Sequence, residues 1–86
     1  MGYASSFITD REPVDVLVKF TRGQVQPIQF KKNHRSYPIQ AVHLVHSERK
    51  GRDKITYFSA SDGANVYRLA FFSESCHWFL EQTDML

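Results

Sequence analysis

The chain has a single cysteine, three prolines, four scattered glycines and no long apolar run. Each scarcity excludes something. One thiol, Cys76, makes no internal disulfide, so a small secreted disulfide scaffold is excluded and the chain reads as cytoplasmic. Gly2, Gly23, Gly51 and Gly63 stand alone, so no glycine-rich loop is available to cradle a phosphate. No segment is long and apolar enough to span a membrane, and the N-terminus has no basic stretch followed by an apolar one. The acids are dispersed, and no Ser–His–acid or paired-carboxylate set is evident. No catalytic residue and no cofactor are therefore expected, and the chain reads as no enzyme. His43 and His46 are three residues apart, which sends them to opposite faces of a regular strand. With one cysteine in the chain, no metal site is expected. Cys76 beside His77 is no nucleophile pair for the same reason, and a small buried Cys is the simpler reading.

What the chain has in plenty is aromatic surface: seven Phe, four Tyr and one Trp in 86 residues. A domain of this size buries only about 60–65% of the surface its unfolded chain exposes. A few large rings, each removing roughly 150–250 Å² from water, must supply most of its stability. Residues 1–13 show no period and read as a loose arm, with the domain at 14–86. From Val14 the period is two: Val14, Val16, Val18 and Phe20 alternate with polar or outward residues. Pro27 opens a second strand through Ile28 and Phe30. A long third strand, Ser36 to Ser47, changes phase near Ala41 and Val42, which signals a bulge or a bend. Lys54–Ala60, Val66–Phe72 and Cys76–Gln82 complete the set, with Asp62-Gly63 as a turn. No helical period appears. The expected fold is all-β, a six-stranded antiparallel meander curled into a small barrel or strongly bent sheet. Its expected core is Val16, Val18, Phe20, Ile28, Phe30, Ile39, Leu69, Phe71, Trp78 and Leu80.

Two surface features bear on function. On the last two strands, Phe72 and Phe79 fall in the outward row with Arg68, His77 and Glu81. The arm, a second copy of the chain or a ligand could cover them. Phe72, His77 and Phe79 are therefore a candidate interaction surface, on a monomer or a homodimer. Charge is the second feature. Residues 19–54 hold nine bases against two acids, a net of +7; the remainder holds two bases against seven acids, and the whole is +2. A basic half suggests nucleic acid or an acidic protein surface as partner. Lys19, Lys31, Lys32, Arg35, Arg49, Lys50 and Arg52 are the candidate phosphate contacts, with Tyr37 available to stack on a base.

The stretches VLVKF, PIQF, YPIQAV, ITYFSA, YRLAFF and WFLEQ resemble a small bacterial family of unknown function. The matching positions are Pro27, Phe30, Arg35, Tyr37, Tyr57, Phe58, Tyr67, Leu69, Trp78 and Leu80. Members stand alone or form a C-terminal appendage of Y-family DNA polymerase homologues used in mutagenic repair. The resemblance implies a role near DNA or as a docking module, and no catalytic residue. The turn at Lys31–His34 departs from it, since the family tends to have an aromatic and a glycine there.

Overall fold

The computed structural model describes residues 11–85. It is all-β, a single antiparallel sheet curled into a half-barrel. The strands are β1 (Glu12–Thr21), β2 (Gln24–Lys32), β3 (Arg35–Pro38), β4 (Ala41–Lys50), β5 (Asp53–Ser61), β6 (Asn65–Phe72) and β7 (His77–Met85). Their spatial order is β3-β2-β1-β7-β6-β5-β4. The first and last strands thus pair in the middle of the sheet, and β3 and β4 are its edges. Glu12, Pro13 and Val14 of β1 lie opposite Leu80, Phe79 and Trp78 of β7. The seam lies between β3 and β4, where the chain itself is continuous. Seven strands appear instead of six because the expected third strand is two. It breaks at Ile39–Gln40 and passes from the partnership of β2 to that of β5. Two hydrogen bonds pin the break: Ile39 N donates to Ile28 O and Gln40 N to Ser61 O, both at 2.8 Å.

The turns follow from local stereochemistry. Thr21 pairs with Gln24 and Lys32 with Arg35, leaving two-residue loops at Arg22–Gly23 and Asn33–His34. All four loop residues have positive φ, the requirement of the type I′ turn whose twist matches its strands. In the β4–β5 hairpin Gly51 alone has positive φ, 62°, the pattern of a type II′ turn. That hairpin runs its strands out to Lys50 and Asp53, so the gap left between the expected strands ending at Ser47 and starting at Lys54 shrinks to two residues.

The barrel interior is built from Val14, Phe30, Phe58, Tyr67, Leu69, Trp78 and Leu80, flanked by Val16, Val18, Val25, Tyr37, Ile39 and Phe71. Rings dominate it. Phe30 stacks on Tyr37 at 4.9 Å and meets Tyr67 edge-on at 4.9 Å; Trp78 lies 4.8 Å from Phe71 and 5.4 Å from Phe58. Two expected core residues are not there. Phe20 is 71% exposed at the β1–β2 tip, and Ile28 is 38% exposed. The physical reason for Ile28 is a bulge. Leu17 pairs with Gln29 but Val18 with Pro27, so Ile28 is the extra residue and Pro27 takes the buried place. Phe20 lies where β1 has run past β7 and nothing packs over it. Cys76 is also corrected: it is exposed, with φ of 59°, in the turn before β7 rather than buried on a strand.

The outer face is not uniformly wet. Ile55, Tyr57 and Ala70 form a second buried cluster there, with Phe72 against it.

Candidate functional site

The outer cluster explains most of the Phe72 and Phe79 puzzle. The rings meet edge-to-face at 5.3 Å, and the Arg11 guanidinium lies 5.1 Å from Phe72 and 6.0 Å from Phe79. A bulge between Arg68 and Leu69 makes Glu81 the extra residue of β7. Its carboxylate accepts from Arg11 Nε at 2.8 Å and lies 3.2 Å from Arg68 Nε. Arg68 in turn covers the Tyr57 ring at 4.6 Å. Burial of Tyr57, followed by the Glu48 and Glu81 charges, raises its hydroxyl pKa. Both rings are half-buried and Arg-clasped, while His77 stays exposed at the rim. Cover by the arm expected at 1–13 rests on Tyr3, Phe7 and Ile8, which lie outside the described residues, while Glu12 and Pro13 of that arm belong to β1 and pair with β7.

The basic residues separate into two groups. Lys31, Lys32 and Arg35 gather at the β2–β3 turn. A hollow of about 740 Å³ there is lined by Glu12, Asp15, Lys31, Lys32, His34 and His77, among others. Its charge is partly cancelled, since Lys32 pairs with Glu12 at 3.0 Å. Tyr37 is near this turn, but its ring is stacked on Phe30, so it serves the core and does not form an open platform.

The second group rims the seam. A groove of about 490 Å³ runs there, walled by Gly23–Pro27 on one side and Val42, Val45 and Ser47 on the other. Phe58, Phe71, Thr56 and Lys54 form its floor and end. The groove exists because β3 pairs with β2 only over Gln29–Lys32, leaving the upper edge of β2 unpaired. Opposite it, β4 pairs with β5 alone, and all ten of its residues are exposed. Arg22 adjoins the groove through Gly23. Arg49 lies opposite Lys54, and Lys50 and Arg52 sit at the hairpin tip. None of these five cations makes an ion pair among the described residues. Lys19 is exposed on the outer side of β1, one residue before Phe20.

Sequence reasoning placed Val42 and Leu44 in a strand but missed the seam. The phase change it noted was the signal. His43 is the extra residue of a bulge, so Val42 and Val45 both face the groove while Leu44 faces out, 63% exposed. His43 Nε2 bonds Ser61 Oγ at 2.8 Å. A Ser–His pair of this kind has little scope as a nucleophile, because Ser61 is only 5% exposed. Its role is to hold the bulge.

Among the described residues no three metal-ligating side chains cluster, and no helix is long and apolar enough to cross a membrane. Compared with known proteins, the chain matches no family model, no curated protein and no solved structure.

Proposed function

We propose that the protein is a non-catalytic binding module whose binding surface is the open seam of the half-barrel. One observation carries this reading: a ten-residue edge strand, exposed along its whole length, faces another unpaired edge across an apolar groove. Natural sheets ordinarily shorten, cover, charge or bend such edges, since an unpaired row of N–H and C=O groups invites another chain; β4 has one bulge, at His43, and its charges lie in its second half. Val42, Leu44 and Val45 keep this one apolar. The lone cysteine and the charged surface suit a cytoplasmic setting.

A nucleic-acid ligand is the second reading, favoured by Arg22, Arg49, Lys50, Arg52 and Lys54 around one rim with Phe20 exposed nearby. Phosphates would meet the cations and a base would stack on the ring. The resemblance to an appendage of Y-family polymerases would put such binding near DNA repair. A third surface, Phe72 with His77 and Phe79, offers less, because Arg11 already occupies the rings.

Location tests the proposal. Isotope-labelled protein is titrated with short single- and double-stranded oligonucleotides at low salt and with a panel of extended peptides. Shifts centred on Gln24–Ile28 and Ala41–Ser47 are expected. Shifts confined to the β2–β3 turn or to Phe72 and Phe79 would refute the seam as the binding surface.

A further inference from the structure

The seam has a polarity, and the polarity selects a ligand. Along β4 the first half is apolar, with Val42 and Val45 facing the groove and Leu44 facing out. The second half is net cationic: Arg49 and Lys50 lie there, with Lys54 opposite Arg49 and Arg52 at the tip, against Glu48, whose charge acts on Tyr57 of the outer face, and Asp53, opposite Lys50. We propose that β4 docks an extended strand of another polypeptide, antiparallel to it, acidic in its N-terminal half and alternately apolar in its C-terminal half. This rests on the seam being the binding surface, and it names the occupant.

The argument runs from backbone to side chain. An antiparallel neighbour exchanges hydrogen bonds with the free edge of β4, and antiparallel pairing is slightly the more stable kind. Antiparallel direction sets the partner's N-terminal half against Ser47–Lys50 and its C-terminal half against Ala41–Val45. The groove side of that partner presents every second side chain, because strand side chains alternate between faces. Those side chains come down between Val25 and Pro27 on the β2 wall and Val42 and Val45 on the β4 wall. A groove of about 490 Å³ takes a few aliphatic side chains and no folded element. Acids in the partner's first half meet cations that have no ion pair among the described residues.

Charge also decides against a second copy of the chain. In an antiparallel pair of β4 strands, the apolar Ala41–Val45 of each would face the cationic end of the other. The two hairpin tips would lie at opposite ends of the pair, about 30 Å apart and screened from each other, so it is the mismatch of apolar against charged halves that disfavours this pairing. A nucleic-acid strand would satisfy the cations, yet its sugar-phosphate backbone would leave the apolar half of the edge unmatched.

The test uses the full chain and a fluorescent ten-residue peptide. The peptide carries glutamates at positions 2 and 4, valines at 6, 8 and 10, and threonines between them. Saturable binding is expected, with amide shifts along Ala41–Lys50 and at Gln24, Val25, Gln26 and Ile28. Raising salt should weaken it. Val45→Asp should weaken it at least about tenfold, with the denaturation midpoint held, since Val45 is 55% exposed. The same peptide in reversed order should bind at least about tenfold worse. Equal binding by the reversed peptide, or no binding at millimolar concentration, would overturn the proposal. So would an oligonucleotide that shifts the β4 amides and displaces the peptide, or a sedimentation dimer with protected β4 amides. In those last two cases the seam survives as the binding surface and only the polypeptide ligand is lost. Shifts confined to other faces would remove both.

Discussion

Asp62 shows how much one turn residue can organise. Its Oδ2 accepts the Tyr67 hydroxyl at 2.7 Å, and its Oδ1 accepts the N–H groups of Ala64 and Asn65. The Tyr67 hydroxyl first, then those amides, lower its pKa to about 2. A depressed carboxyl contributes stability above its unfolded pKa and loses it as pH falls. The loss should therefore run from about pH 4, the ordinary Asp range, towards pH 2. Tyr67 behaves in the opposite sense: burial, then Asp62, raise it to about 12. Its contribution is whole below about pH 10 and disappears as pH rises through 12. Tyr67→Phe should move the Asp62 midpoint up towards the usual carboxylate range, readable in a carboxyl NMR titration. An unchanged midpoint would mean that the amides alone hold the charge. A second residue-scale contrast concerns the rings. Phe30 is 1% exposed and Phe20 71% exposed. Phe30→Ala should cost about 3–5 kcal/mol, while Phe20→Ser should stay within about 0.5 kcal/mol. Chemical denaturation of the two variants measures both.

At the scale of elements, the turns were legible, and of the bulges only the one in β4, through its change of phase near Ala41 and Val42. Arg22–Gly23 and Asp62–Gly63 announce themselves through glycine chemistry. Asn33–His34 was legible as a turn from its polarity, although His34 pays for its left-handed φ of 65° with steric strain. His34→Gly should raise stability by roughly 0.5–1 kcal/mol, measured by the same denaturation experiment; a loss would show that the His34 side chain contributes a contact of its own. Alternation on β6 and β7 correctly sent Tyr67, Leu69, Trp78 and Leu80 inward. It failed at Ile28, the extra residue of the β2 bulge, which inverts the phase beyond it; the β4 bulge at His43 showed itself as a phase change, and Glu81, the extra residue of β7, stays in the outward row beside Arg68 as expected. Val42 and Val45 illustrate the cost. In sequence they resemble core residues, and their exposure comes from the strand's place at the sheet edge, which periodicity does not report. The seam was invisible for that reason. It is made by the length of β3, which ends at Pro38 and leaves β2 half paired.

At the scale of the whole molecule, the half-barrel measures 45 × 34 × 24 Å, with a radius of gyration of 13.1 Å. The pairing of β1 with β7 spans three residue pairs, Glu12–Leu80 to Val14–Trp78. On the opposite side, among the described residues, the backbone bonds at the β3–β4 break are those of Ile39 and Gln40, beside the packing of Phe30 and Tyr37 on Tyr67. The uneven charge of the sequence becomes a spatial arrangement here: one cationic cluster sits by a hollow with Glu12 and Asp15, the other rims an apolar groove. Amide hydrogen exchange, read residue by residue on the unliganded chain, tests this openness most directly. Alternate amides of Ala41–Lys50 should exchange nearly as fast as in an open chain, while those between them, bonded to β5, and the amides of β6 stay protected. Uniform protection of all ten β4 amides at the level of β6 would mean that the edge is already covered and that no seam is available for a ligand.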